Sequence, residues 1–559
     1  MIMTVIGITL LALLAAVAVT AVSGSSKSTA GGLDRQQAYE AAVAGLHEYS
    51  FHLHERTDYW RYCTRGYSAG EPIALNDELP VAQRVNANQR QVPGMPGARY
   101  ELELLPANGA ERCDPTNLET ATASMIEAQG AARGTFRIRS TGFADGKQVS
   151  VVATFHPESF LDYVYFTQRE TSDPVTYGYQ PLIEAADRQC SLTLQEGRTE
   201  TELTNAAGQP LGATGKVLHE VRKQNWKGQW ETHWENPAGE EESFQYCDTI
   251  SFVAGDNIKG PMHTDDAFVM CNDPTLGRGS MDTIEVSAPE PGWYSTRESF
   301  LNSGSNCVGH PNFKGTFRPG SANIVPPASN QELETIVEPP FHYTGEVAIC
   351  LEGPNMTVGR GKSCTASQIY KGTQPPNGVV YVSSEACTGA YSPFNLSYGT
   401  TVSACGNVNV KGKYAKPLTI AAANDVVITG ALEREGEGML GLIANNFIRI
   451  YHPVQLGSGG TCSSHSANGS GSLPNLKIEA ALLAIQHSFI VDNYNCGPQL
   501  GNLNVVGAIA QKYRGAVGTT GSTGYLKNYE YDERFKTTEP PYFIQPIESE
   551  WVIGRETVE

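Results

Sequence analysis

Two clusters hold the side chains best suited to chemistry. Asp256, His263, Asp265 and Asp266 fall within GDNIKGPMHTDD, and Lys512 and Arg514 within QKYRG. Carboxylates beside an imidazole supply an acid, a base or a calcium site, and a nearby cation neutralises an acidic substrate. That is the set a polysaccharide lyase or hydrolase needs. The clusters lie some 250 residues apart, and nothing in the sequence joins them. The plainer reading is that Asp, Asn and His turn the chain and satisfy backbone groups. No GxSxG, HExxH, P-loop or GxGxxG occurs in a fitting context. Neither catalysis nor a metal or cofactor is therefore expected.

Other candidates are weaker. Cys462 and His465 have a ligand-like spacing but sit in GSGGTCSSHSANGSGS with no second pair nearby, so a loop disulfide is the better reading. His47, His52 and His54 share a helical stretch but do not converge, and read as exposed. Trp226, Trp230 and Trp234 recur every four residues. They suggest either a sugar-stacking platform or, preferred here, packing under a loop. Tyr525, Tyr529, Tyr531 and Phe535, in GYLKNYEYDERF, suggest a surface-contacting strip or a cap on the open end of a stacked β structure, with capping favoured.

Elements that would position these residues begin with an apolar run. Met1 to Ser26 carry no charged side chain, which is long enough for one membrane-crossing helix and reads as a retained anchor. Gly7, Leu11, Ala12, Ala15 and Ala16 are the positions where that helix would pack against others. A second helical stretch, LDRQQAYEAAVAGLHEYSFHLHERTDYW, has small residues at helical spacing, with Asp34 placed to cap it. Alternating strands follow at 98–105, 134–141 and 147–155, then an aromatic strand over 158–171. Helix and strands together predict a small α+β head over 27–180, with an irregular β connector over 181–250.

From 251 to 548 a repeat emerges. Asn424–Ile428 is followed 21 residues later by Asn445–Ile450, and after a further 42 residues by His487–Val491. Short β runs ending in Asn or Gly at this beat predict a right-handed parallel β-solenoid, whose coils bury their apolar faces only by stacking. Gly457 to Leu473 would project from it as a loop, and 549–559 would be a tail. The fold class expected is mainly β, with an N-terminal transmembrane helix.

Composition agrees. Fifty-seven glycines and thirty-two prolines suit a turn-rich β protein, and a net charge of −19 argues against a nucleic-acid-binding surface. Twelve scattered cysteines without a CxxC pair read as disulfides in an exported body, Cys63–Cys113 and Cys387–Cys405 being the natural first pairs.

The charge-free helix, the stretch QQAYEAAVAGL and the strands after it resemble the minor pilins of type IV pili, of the PilX-like N-terminal class. SFLDYVYFTQRETSDP, FVAGDNIKGPMHTDDAFVMC and the run from PLTIAAANDVVITGAL to LGNLNVVGAIAQKYRGAVGT are similar to the large solenoid-bearing minor pilins of bacteria. The resemblance implies a membrane-anchored, non-catalytic pilus subunit. Its partners would be other pilin subunits, the membrane and an extracellular glycan or surface ligand, with the solenoid displayed at the cell surface for adhesion, assembly or uptake. Major pilins carry Glu at the fifth mature position; counted from Met1 this chain has Val5, which favours a tip subunit. An anchored adhesin or scaffold outside any pilus is the alternative.

Overall fold

Ala38, Ala41, Ala42, Leu46, Tyr49 and Leu53 recur at three- and four-residue intervals and are all fully buried. That spacing makes one apolar stripe on the helix over 32–53, and the stripe needs a sheet to cover it. The computed structural model describes residues 32–53, 56, 58–68, 71–74, 89–114, 116–127, 134–174, 176, 189–191, 203–245, 247–295, 311–387, 404–456, 462, 466–519, 522–536, 538–547 and 551–558. The chain divides into two units, 1–158 with 549–559, and 159–548.

In the first unit the helix shares its core with a five-stranded antiparallel sheet. The strand order is Arg90–Gln91, Arg99–Leu105, Phe136–Ala144, Lys147–Pro157 and Trp551–Val558. Every second residue of Phe136–Ala144 is buried, as an amphipathic strand requires. Gly142 allows the close approach of helix and sheet: a Cβ there would collide with the Ala38 carbonyl and the Ala42 amide. Phe136 stacks on Phe155 at 5.1 Å and meets the Trp551 ring edge-on at 4.8 Å. A disulfide joins Cys63 to Cys113. The expected tail is thus the fifth strand, paired antiparallel with Lys147–Pro157. Asp34, expected as a cap, lies inside the helix. Among the described residues no helix is long and apolar enough to cross a membrane, and the anchor positions Gly7, Leu11, Ala12, Ala15 and Ala16 lie outside them.

The second unit is mainly β and mostly parallel. Val347–Gly353, Val408–Tyr414, Val426–Arg434, Ile448–Ile450 and Phe489–Val491 form one ladder, each strand parallel to the next. His342–Thr344, Val379–Ser383, Leu418–Ala422, Leu440–Ala444, Lys477–Ala484 and Asn502–Arg514 form a second. All five residues of Leu418–Ala422 and of Leu440–Ala444 are buried, the continuous apolar run of a strand covered on both faces. The stretch after Thr538 supplies part of that cover: Thr419 Oγ1 donates to the Pro541 carbonyl at 2.5 Å. At one corner the amides of Asn407, Asn424 and Asn446 form a chain, each Nδ2 donating to the preceding Oδ1 at 2.7 Å. Asn424 and Asn446 are 22 residues apart, so the true register is one residue longer than the beat read from the sequence.

One level of the ladder is composite. The 13-residue strand Asn502–Arg514 pairs through its first half with Leu526–Tyr531 and through its second half with Tyr165–Ser172. On their other sides these two segments pair with Asn257–Lys259 and Met262–Thr264, which are neighbours in the chain. Two pieces far apart in sequence therefore occupy one level, closed where Tyr531 donates its hydroxyl hydrogen to the Leu161 carbonyl at 2.8 Å. The aromatic strand expected in the α+β head belongs here instead, preceded by the 3-10 turn Phe160–Asp162.

The expected connector has its own regularity. Asn205, Asn225 and Asn236 each open a five-residue turn with Gly in the fourth place, at φ 76°, 75° and 78°. In each turn the Asn Oδ1 accepts two backbone N–H groups, from the second and fourth residues after it. This is a type I turn followed by a left-handed glycine, a standard hairpin closure. The pattern N-x-x-G-Q/E, three times within 203–245, is a local sequence signal that marks the hairpins.

Candidate functional site

The composite level brings together the two clusters that sequence left apart. Arg514 Nη1 lies 2.6 Å from Glu170 Oε2, and its guanidinium carbon sits 3.7 Å from the centroid of Phe252. The Glu170 amide donates to Asp266 Oδ2 at 3.1 Å, and Ser191 Oγ donates to Asp266 Oδ1 at 3.1 Å. Tyr165 and Thr167 donate their hydroxyls to Glu170 Oε1. Beside them Lys527 Nζ meets Asp256 Oδ2 at 2.6 Å. Arg514 is 1% exposed and Glu170 0%. Burial pushes the Glu170 carboxyl above the usual carboxylate range, with Arg514 opposing it, and burial pushes the Lys527 ammonium down.

His263, Asp265 and Glu285 form a second buried group. His263 Nε2 lies 3.1 Å from Asp265 Oδ1 and Nδ1 lies 3.5 Å from Glu285 Oε2, while the ring stacks on Phe166. Asp265 Oδ1 also accepts the Ile324 amide at 2.9 Å, and Tyr163 donates to Glu285 Oε2 at 2.7 Å. Burial pushes Glu285 up, but His263, the Tyr163 hydrogen bond and the charge of Arg318 outweigh it and hold the carboxyl below the usual range. These groups face one another within the core, and the fold takes up much of their hydrogen-bonding capacity, although Arg514 Nε and Nη2 are buried without a hydrogen-bond partner among the described residues. Lys512 is not in either group; its ammonium lies 5.3 Å from the Tyr513 ring centroid. Glu170 and Lys527 were missed in the sequence, where each stands alone in an otherwise ordinary strand pattern.

Tyr525, Tyr529, Tyr531 and Phe535 are all buried. The strand Leu526–Tyr531 is paired on both sides, so Tyr529 and Tyr531 line an internal level. They are neither a surface strip nor a cap on an open end, because strands from both directions along the chain cover them. Cys462 is bonded to Cys496, which removes it as a metal ligand; His465 and His54 lie outside the described residues. Both expected disulfides, Cys63–Cys113 and Cys387–Cys405, are formed, with Cys190–Cys247, Cys350–Cys364 and Cys462–Cys496. Cys271 is disulfide-bonded too, and no described cysteine is free.

The exposed aromatic feature lies elsewhere. His219–Gln224 and Trp230–Glu235 form a two-stranded antiparallel ribbon closed by the Asn225 turn. Trp226 is 89% exposed and Trp230 60%, contrary to the expected packing under a loop. Only Trp234 behaves as expected, lying 4.8 Å from the Phe244 ring.

No protein-family model matches the chain, and no curated protein matches it. Among solved structures, the competence-associated pilin ComZ from Thermus thermophilus aligns over 94% of this chain and 97% of its own, at 11% identity and a TM-score of 0.24. At that score the likeness carries no weight for fold or function.

Proposed function

We propose that the chain is a non-catalytic, membrane-anchored subunit of pilin type that displays a large β-solenoid outside the cell. The observation that carries this reading is the order of parts. A charge-free run is followed by a helix whose small residues, with Gly142, press it onto an antiparallel sheet. The parallel ladders are inserted between that sheet's last two strands in sequence. Oxidised cysteines are compatible with an extracytoplasmic body. The parallel ladders suit a right-handed solenoid: the pairs Val408 with Val426, Leu418 with Leu440 and Val426 with Ile448 keep a spacing near 20 residues, and the wider spacings leave room for inserted segments. Absence of catalysis is supported by the burial of Asp256, Asp266, His263 and Arg514 among partners of the same chain. In this reading the apolar run packs with other pilin subunits through Gly7, Leu11, Ala12, Ala15 and Ala16.

The test is incorporation. Leu11→Asp or Ala15→Asp puts a charge in the anchor at a cost of about 3 kcal/mol, and the protein should leave the membrane fraction and the sheared-filament fraction together. A wild-type chain that stays in the membrane yet never accompanies filaments is an anchored adhesin or scaffold. An experimental map of the full chain reads the hand of the ladders, and a two-layer sandwich would sink the solenoid.

A further inference from the structure

The ribbon 219–235 stands out because both its faces are largely solvent-exposed. A two-stranded ribbon is marginal in water without a covering layer, and large exposed aromatics on one are unusual outside binding surfaces. Register places Gln224 opposite Trp230, Arg222 opposite Thr232 and Glu220 opposite Trp234, so these six share one face, with Glu220 at its far end accepting from Thr232 Oγ1 at 3.5 Å and the unpaired cations toward the turn. The Arg222 guanidinium carbon lies 6.0 Å from the Trp230 centroid, and Lys227 Nζ lies 4.8 Å from that of Trp226. From Arg222 to Trp230 the chain has three cations and no carboxylate, within a protein of net charge −19. Lys223 is paired with Glu235, whereas among the described residues Arg222 and Lys227 have no carboxylate partner.

We propose that this ribbon is a binding finger for an acidic polysaccharide. The C–H faces of sugar rings stack on Trp226 and Trp230. Arg222 and Lys227 take the carboxylate or sulfate groups, and Gln224 and Thr232 meet hydroxyls. Charge complementarity selects the acidic class over neutral glycans. A nucleic acid is disfavoured because it presents phosphates densely and binding needs many cations, where the finger has two unpaired ones. A lipid surface is disfavoured because Gln224, Asn225 and Gln229 would be buried with the rings. The turn explains the presentation: Asn225 Oδ1 holds the amides of Lys227 and Gln229 at 2.9 and 3.0 Å, fixing the loop that carries Trp226. The finger does not depend on filament assembly.

The experiment titrates the purified full chain with polygalacturonate and with heparin, following tryptophan fluorescence and retardation in affinity gels. Dextran, phosphatidylglycerol vesicles and single-stranded DNA are run in parallel. At least one acidic polysaccharide should bind, with affinity falling as salt rises. The W226A/W230A variant should lose about tenfold or more in affinity, and R222E/K227E should lose binding with an unchanged melting temperature. Silence of both acidic polysaccharides overturns the proposal, as does binding that W226A/W230A and R222E/K227E leave intact. Equal affinity for dextran, or capture of vesicles or DNA alone through the same tryptophans, overturns it too.

Discussion

Two regions of this molecule set an arginine against aromatic rings, with opposite results. Arg514 lies over Phe252 in the composite level, 1% exposed, paired with Glu170 and hemmed in by Tyr165. Arg222 lies over Trp230 on a ribbon in water, with no carboxylate partner among the described residues. In the first setting the charge is costly unless paired, so it fixes how distant strands meet. In the second, solvent screens it, so it contributes little to stability and stays available to a ligand. Residue type alone therefore does not assign a role; the surroundings decide it.

The largest expected effect breaks the buried side of this contrast. Glu170→Ala strands Arg514 without its counter-charge and should destabilise the second unit by about 3–5 kcal/mol in urea unfolding. The double variant E170L/R514M should recover much of that loss. Arg222→Ala should move stability by no more than about 0.5 kcal/mol. If the two arginine sites respond alike, the contrast fails.

Next is the disulfide that ties the hairpin region. Cys190 and Cys247 are 57 residues apart and close the loop that contains all three asparagine turns. Replacing both with Ser should cost about 2–4 kcal/mol, seen by hydrogen exchange as faster opening across 203–245, with Leu418–Ala422 and Leu440–Ala444 unaffected.

Acid separates the buried carboxyls by sign. Glu285 is held below the usual range, so its contribution is present above about pH 4.5, the ordinary value, and lost as pH falls through its depressed value. Burial raises Glu170 despite Arg514, so ionising it costs stability as pH rises through the raised value, and the pair with Arg514 offsets only part of that cost. Glu285→Gln should therefore flatten the acid side of the stability profile, measured as melting temperature against pH. An unchanged acid limb would mean that the His263 group is not a pH-linked part of the core.

The smallest effects belong to the ribbon. Gly228→Ala forces a side chain into the left-handed region at φ 75° and should cost about 1 kcal/mol locally, read as faster amide exchange in Arg222–Glu231. The W226A/W230A variant should leave the melting temperature of the whole chain essentially unchanged.

Much of this architecture is written locally. The stripe from Ala38 to Leu53 and the alternation in Phe136–Ala144 follow from periods of 3.6 and 2, which any short window reveals. The Asn424 and Asn446 corners are legible because successive strands of the parallel ladder repeat a similar need, though the register is one residue off the apparent beat. The asparagine turns were equally local, marked by N-x-x-G-Q/E. Only tertiary structure decided that Tyr165–Ser172 sits between Asn502–Arg514 and Met262–Thr264. Main-chain pairing between parallel strands carries almost no side-chain code, so partners hundreds of residues apart leave no mark in either segment. The same reason put Tyr529 in the interior and Trp230 in water. Each sits in a short aromatic, charged strand pattern, and what differs is whether another strand lies alongside to cover it.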